Sequence, residues 1–507
     1  MHKYINQFRR AQTERRRFER RIEESCRKSG HAPPRSRRDF LSQGLIAGVS
    51  TVFLPSIAML LAREAQAQSA ECVIDNNGML GAGKIPFLAF DQGGGANIAG
   101  SNVIVGGAGG QEDFLNESGY AKLGLPNAII PQNVGVDRSF GLAMHPNSAL
   151  LRGMMDKTNA ATRANTNGCV IPARSENDTG NNPHNPVYGI ARAGANGEFA
   201  ATIGTRNSES GGRSRAPNSM IQAELRPVKV SKPSEAIGLG GGGSDNGFPD
   251  GRVAEASAII SALKLGKITE QQATEDLLQC GYDKTTATFN TLVTPQDLDP
   301  TADPILQGIF PNGELNDGDF RKAAAAMKIV VNGYGGAGTI EYGGRDYHQD
   351  PRPETDGKDF VVGQAIGASL EYAAQLGKPL MVYCFSDGAV SADTGRPEDD
   401  GNGTTKFRWR SDNSQTAASF ILAYSPIAQP ALRNGVASQQ LGYYKSDGNV
   451  QTSSSPFANS VEALAEMVVL NYLGLHGEEG MFGMVLNNPS LGTGAAVAPY
   501  IAFDAIV

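Results

Sequence analysis

The chain has 507 residues, with 52 acidic and 45 basic side chains and a formal net charge of −7. The first 38 residues hold 13 basic and 4 acidic side chains, and residues 39–67 have a net charge of −1, so residues 68–507 have −15. An acidic balance of this size argues against nucleic acid as a partner of the main part of the chain.

The first 67 residues have the features of a twin-arginine export signal. Residues 36–41 read Ser-Arg-Arg-Asp-Phe-Leu, an apolar stretch covers residues 40–62, and Ala-Gln-Ala at 65–67 forms a small-residue cleavage site. The apolar stretch is long enough to span a membrane, but Pro55 and the cleavage site favour removal. We therefore predict a signal peptide over 1–67 with a long basic n-region, and the twin-arginine translocase as export partner. We predict a periplasmic or secreted mature protein with no stable membrane span after cleavage.

Residues 68–507 hold four cysteines without a Cys-x-x-Cys pair, so a cysteine zinc site is not supported. Cys384 lies in the apolar run 379–385 and is predicted to be a buried thiol. An oxidising compartment permits one disulfide among Cys72, Cys169 and Cys280, and the sequence does not choose the pair.

The first predicted core strand is the apolar run 85–90, and Asp91 follows it directly. Open α/β sheets place ligand sites at the carboxyl ends of such strands, so Asp91 is a candidate ligand. The alternative is that Asp91 only caps a turn. The glycines after it lead into the apolar run 103–105 instead of a helix, which disfavours a dinucleotide-binding fold.

Residues 327–350 combine a short apolar run, a series of glycines and two potential ligands. Residues 329–331 predict a buried strand, and the glycines of 333–344 predict a loop that turns sharply and approaches other groups closely. Asp346 and His348 point the same way in an extended segment and can then share one cation. The alternative is a surface loop with a solvated Asp and His.

Polar candidates also occur in the first half of the chain. Residues 175–185 form a polar loop whose reactive candidates are Asp178, Thr179 and His184. His145 precedes a predicted helix, where a structural hydrogen-bonding role is favoured over a ligand role.

The remaining periodic segments predict an alternation of helices and strands. They are helices over 319–326, 360–376 and 460–475, and strands over 380–385 and 420–424. Ser460 is the predicted N-cap of the last helix. Asp387 follows the strand at 380–385, so a carboxylate again ends a buried strand.

This alternation predicts a three-layer α/β/α sandwich with a mostly parallel central sheet. Residues 68–507 are predicted to form one domain, with a loop and helical insertion around 204–320 that contains two short helices in 252–278. Residues 391–404 are predicted to be a solvated acidic loop. The strands at 85–90, 329–331 and 380–385 should share one sheet and bring their acidic residues to one edge.

The order of these motifs resembles a family of uncharacterised exported bacterial proteins, DUF1501, which is sulfatase-related and belongs to the alkaline-phosphatase-like superfamily. The similar segments are the twin-arginine motif, FDQGGGANIAG at 90–100, FGLAMHP around His145, NPHNP around His184, GRDYH at 344–348, SDG at 386–388 and SDNS at 411–414. Three features depart from the pattern. Asn413 stands where a His is expected, the turn at 90–100 lacks the family's Asp unless Asn97 or Asp91 takes its place, and no clear sulfatase Cys-x-Pro-x-Arg motif is present.

The resemblance implies an alkaline-phosphatase-like fold in which two divalent cations at the carboxyl edge of the sheet are held by Asp and His. The predicted metal ligands are Asp91, His184, Asp346, His348, Asp387 and Asp412. Thr179 is the first candidate nucleophile, by its loop context, and Ser386 is the second. A His beside carboxylates suits zinc, manganese or a similar first-row ion better than calcium.

Two functions are compatible with these features. The first is an exported metal-dependent hydrolase that acts on small-molecule phosphate or sulfate esters, and the Asp and His spacing favours it. The alternative is a non-catalytic exported envelope or surface protein on the same fold. The missing His at Asn413 and the absent nucleophile motif favour the alternative.

Overall fold

A seven-stranded sheet forms the centre of the structure. The computed structural model describes residues 83–176, 182–239 and 295–507, which all fall in one compact unit. The strands of these ranges are β1 Phe87–Gln92, β2 Thr166–Pro172, β3 Ala200–Gly204, β4 Val228–Lys229, β5 Gly335–Tyr342, β6 Leu380–Ser386, β7 Val390–Asp399, β8 Thr405–Asp412 and β9 Ala418–Tyr424. The predicted signal peptide and the predicted helices in 252–278 lie outside the described residues.

The strand order of the main sheet is β2-β9-β6-β1-β5-β3-β4, with β1 in the middle. β9 is antiparallel to β2 and β6, and every other neighbouring pair is parallel. The prediction of one mostly parallel sheet is confirmed. β7 and β8 pair only with each other, as an antiparallel hairpin.

Helices pack on both faces of the sheet. Those of the described ranges are α1 Glu117–Lys122, α2 Pro131–Val134, α3 Ala149–Lys157, α4 Ala160–Ala164, α5 Val187–Arg192, α6 Pro233–Leu239, α7 Pro295–Leu298, α8 Pro304–Ile309, α9 Gly318–Val331, α10 Arg352–Gln375, α11 Val461–Leu475 and α12 Phe482–Leu486. None of these described helices is both long enough and apolar enough to cross a membrane.

Successive side chains of β1 point alternately to the two faces of the sheet. Leu88 and Phe90 lie in the apolar cluster that includes α3, α9 and α10. Phe87 and Ala89 lie in a second cluster with α5, α11 and α12. Helices therefore cover both faces, in the three layers that the sequence alternation predicts.

The prediction of a strand at residues 329–331 is wrong, because these residues form the last turn of α9. The apolar run continues an alanine-rich helix whose residues 323–326 are buried, and helical packing overrides the β-branched composition. The strand is instead the glycine-rich segment itself, β5. A side chain at Gly336 would place its Cβ 2.0 Å from the carbonyl oxygen of Ala195, so glycine lets a neighbouring backbone pack on this strand.

Two further elements differ from the sequence prediction. Residues 391–399 belong to β7, although 391–404 was predicted to be a solvated loop. α10 begins at Arg352, well before the predicted start at 360, since its polar first turns carry no apolar periodicity. Residues 391–399 are half-buried or exposed, as a solvated segment should be, although they form a strand. In the first turns of α10, Arg352 and Asp356 are buried and pair with each other, as described below. The prediction for α11 is confirmed, because Ser460 caps it by accepting a hydrogen bond from the Ala463 N–H.

Candidate functional site

The carboxyl ends of β1, β5 and β6 meet at one edge of the sheet, which we call the strand-end edge. Gln92 at the end of β1 is in register with Tyr342 of β5 and with Ser386 of β6. Asp91 and Asp387 lie at this edge and are fully buried. The predicted position of these two carboxylates, at the ends of core strands of one sheet, is therefore observed, and the two strands are neighbours.

Asp91 is held by Ser214, a residue from the loop after β3. The Ser214 N–H donates to Oδ2 at 2.8 Å, and the Ser214 hydroxyl donates to Oδ1 at 3.0 Å. Burial, with repulsion from Asp387 as the second cause, raises the pKa of Asp91 to about 7, although the Ser214 bonds act in the opposite direction. The burial of the Asp91 carboxylate is therefore electrostatically costly, and the chain offsets part of that cost with two hydrogen-bond donors.

Asp387 is held from two sides. The Gly94 N–H donates to its Oδ1 at 2.6 Å, and Arg213 forms an ion pair in which Nε lies 3.4 Å from Oδ2. The Asn182 amide also donates to the Asp387 carbonyl oxygen. Gly94 has a φ of +135°, and a Cβ there would lie 2.5 Å from the Asp346 nitrogen, so the turn requires glycine at this position.

Residues 212–214 cross the turn after β1, and we call them the 212–214 strap. A Cβ at Gly93 would lie 2.4 Å from the Arg213 Cδ, and a Cβ at Gly212 would lie 2.5 Å from Oδ2 of Asp91. The Arg213 side chain remains one-third exposed. Sequence reasoning missed the strap, because it assigned these residues to a connecting insertion. The glycine pair Gly211-Gly212 before an arginine was the only local sign of a close backbone approach.

Asp346, His348 and Asp412 form a separate, solvent-exposed group. Asp346 accepts a hydrogen bond from the His348 N–H at 3.1 Å, and the His348 Nδ1 lies 3.3 Å from Oδ2 of Asp412. The side chains of His348 and Asp412 are 40% and 55% exposed. Across residues 83–176, 182–239 and 295–507, no three His, Cys, Asp or Glu side chains are grouped so that they could hold a metal ion.

The other predicted site residues have structural contacts. The His184 ring is buried and stacks on Phe385 with the ring centroids 6.0 Å apart, and burial lowers its pKa to about 3. The Ser386 hydroxyl donates to the Gln92 carbonyl at 2.7 Å and accepts from the Ala96 N–H at 2.9 Å. Ser386 thereby ties β6 to the turn after β1. Asp178 and Thr179 lie outside the described residues.

The predicted structural role of His145 is confirmed by its contacts. Its Nε2 lies 2.7 Å from the Ile129 carbonyl oxygen, and its Nδ1 accepts from the Asn147 N–H at 3.1 Å. Burial lowers its pKa to about 4, so the ring is neutral. Asn413, at the position where the family pattern has a His, accepts a hydrogen bond from the Gln415 N–H at 3.1 Å.

The β7–β8 hairpin is fixed beside the strand-end edge by buried charges. The Lys406 ammonium contacts Asp356 of α10 and lies 3.1 Å from Oδ2 of Asp400. Arg352 pairs with Asp356 at 3.1 Å, and its guanidinium lies 4.4 Å from the Trp409 ring centroid. These contacts tie the polar start of α10 to the first part of β8 and to the turn before it.

The cysteines Cys169 and Cys384, which lie in the described ranges, are both core residues. Cys384, as predicted, is buried, and its sulfur accepts from the Gln92 amide at 3.3 Å. Cys169 is also a buried free thiol. Cys72 and Cys280 lie outside the described residues.

The strand-end edge, taken with the exposed group, does not fit a two-metal centre formed by the described residues. Each oxygen of Asp91 and Asp387 already faces an N–H, a hydroxyl or a guanidinium of the chain. A cation would compete with these donors for the lone pairs of the oxygens and would lie beside the positively charged Arg213 guanidinium. No family model, no curated protein and no solved structure matches the chain.

Proposed function

We propose that the protein is an exported, non-catalytic protein with an alkaline-phosphatase-like fold, which acts by binding in the cell envelope or at the cell surface. The fold part of the proposal rests on the mostly parallel sheet with acidic residues at the ends of adjacent central strands. The export part rests on the twin-arginine motif at residues 36–41.

One observation carries the non-catalytic part of the proposal. The two buried carboxylates that would form the centre of a metal site are engaged by the chain itself, through Ser214, Gly94 and Arg213. Metal-assisted ester hydrolysis requires carboxylate oxygens that are available to coordinate the ion, together with an open coordination position on the ion itself. In this protein the same oxygens stabilise the connection between the 212–214 strap and the sheet.

The decisive experiment measures metal content and turnover on the same sample. We expect the purified protein, incubated with zinc or manganese and desalted, to retain substoichiometric metal. We expect it to release no product from p-nitrophenyl phosphate or p-nitrophenyl sulfate above the rate of an Asp387→Asn variant. Stoichiometric metal together with saturable turnover that Asp387→Asn abolishes would overturn the proposal.

Export is tested independently of the site. The double substitution Arg37→Lys with Arg38→Lys should leave the protein in the cytoplasm, because the export receptor reads the arginine pair. Mass spectrometry of the exported form should give Gln68 as the first residue. Normal periplasmic accumulation of the double variant would contradict the export signal.

A metal-dependent hydrolase of phosphate or sulfate esters is the second candidate. The observation that favours it is the exposed group, in which His348 and Asp412 come together from distant parts of the chain near the strand-end edge. If this group binds a catalytic ion, Asp346→Ala should lower the metal content of the protein. Unchanged metal content in that variant supports the binding proposal.

A further inference from the structure

We infer that the Arg213 guanidinium is the positive charge that balances the Asp91–Asp387 pair at the strand-end edge. The superfamily resemblance implies a metal ion at the same place. This inference deepens the proposed function and rests on it for the metal-free state of the edge. It assigns a role to a residue of a loop that the sequence marked only as a connector.

The edge needs a positive charge because two carboxylates are buried close to one another. Both are fully buried, and Asp387 is one of the causes that raise the pKa of Asp91. Two anions in a low-dielectric site repel each other, and the cost is offset when a cation is close or when one of the two carboxylates is protonated. Arg213 supplies that cation, since its Nε lies 3.4 Å from Oδ2 of Asp387.

The guanidinium is positioned by backbone contacts on both sides of it. Gly212 packs against the Asp91 carboxylate, and Ser214 donates its N–H and hydroxyl to the same group. Between them, the aliphatic part of Arg213 lies across Gly93, where any Cβ would clash. The three strap residues therefore each contact Asp91 or the turn that follows it, so the ion pair is built into the fold.

Arginine suits this place because its charge is permanent and its planar group is weakly hydrated. Arg213→Met keeps most of the aliphatic contact with Gly93 but removes the charge. Asp387 would then be a buried carboxylate without its guanidinium partner, a state that strongly destabilises folded proteins. A divalent cation can relieve it, so the variant should gain an affinity that the natural protein lacks.

The test compares Arg213→Met with Arg433→Met in a metal-free buffer with a chelator. Arg433 is a matched control because it is similarly part-buried, at 26% exposure, and pairs with Glu479 and Asp504. We expect Arg213→Met to melt at least about 3 °C below Arg433→Met. After removal of the chelator, zinc should bind Arg213→Met at least about tenfold more tightly than the natural protein. Added zinc should raise the melting temperature of Arg213→Met, and it should leave those of Arg433→Met and the natural protein unchanged.

A double substitution keeps the test informative if Arg213→Met does not fold. Arg213→Met with Asp387→Asn removes both charges, so it should recover stability relative to Arg213→Met and should not bind zinc. The inference is overturned if Arg213→Met is as stable as the control and shows no gain in zinc affinity. It is also overturned if Asp387→Asn gives no recovery. Neither result depends on ester turnover by the natural protein, which tests the proposed function alone.

Discussion

Two groups of acidic residues lie near the carboxyl edge of the sheet, and they differ in how their charge is balanced. Asp91 and Asp387 are fully buried, and the chain provides hydrogen-bond donors to three of their four oxygens and an ion pair with Arg213 to the fourth. Asp346 and Asp412 are exposed, and water supplies most of their solvation. Similar residues at similar distances from strand ends therefore have different energetic roles, because burial decides whether a carboxylate needs a partner from the protein.

The largest contrast should appear when one carboxylate of each group is removed. Asp387→Ala removes the ion-pair partner of the Arg213 guanidinium and leaves the Gly94 N–H without its acceptor, so the free energy of unfolding should fall by about 3–5 kcal/mol. Asp412→Ala breaks only an exposed pair and should cost less than about 1 kcal/mol. Urea unfolding of both variants measures the difference, and equal losses would refute the contrast.

Asp91 should make the stability of the protein depend on pH. Its folded-state pKa of about 7 lies above the ordinary value of 3.8, so its contribution is fully present below pH 3.8 and is lost as the pH rises to 7. Asp91→Asn cannot ionise, and its free energy of unfolding should therefore gain up to about 4 kcal/mol relative to the natural protein between pH 4 and pH 8. Parallel stability curves for the two proteins would show that Asp91 is not the titrating group.

His184 should also make the stability of the protein depend on pH, but on the acidic side. Its folded-state pKa of about 3 lies below the ordinary value of 6.5, so its contribution is present above pH 6.5 and is lost as the pH falls towards 3. His184→Phe keeps an aromatic ring against Phe385, and at pH 4 it should retain about 3 kcal/mol that the natural protein loses. Unfolding measured at pH 7 and pH 4 tests this. An NMR titration in which the His184 ring protonates near pH 6 would contradict it.

The smallest effect should belong to the exposed group. Asp346 accepts one hydrogen bond from the His348 backbone, and its side chain is exposed. Asp346→Ala should change the free energy of unfolding by less than about 0.5 kcal/mol. A larger loss that added zinc restores would mean that this group, and not the buried pair, is the functional centre of the edge.

The positions of the main strands and helices follow in good part from local sequence patterns. The apolar runs before Asp91 and Asp387 predicted two strands of one sheet, which the structure shows to be neighbours, and Ser460 predicted the start of α11. The predictions failed where polar or small residues are buried. β5 is rich in glycine because another backbone packs on it, and the first turns of α10 are polar because Arg352, Asp356 and Lys406 pair inside the protein.

By itself, the sequence determined the acidic balance and the places where carboxylates end core strands, and it predicts the export signal. Only the tertiary structure decided which carboxylates are buried together and what neutralises them. The strap that holds Asp91 and Asp387 lies 123 residues beyond Asp91 in the chain, measured at Ser214. No local pattern connects positions so far apart, because their interaction arises from the packing of a loop on the sheet and from the cost of burying charge.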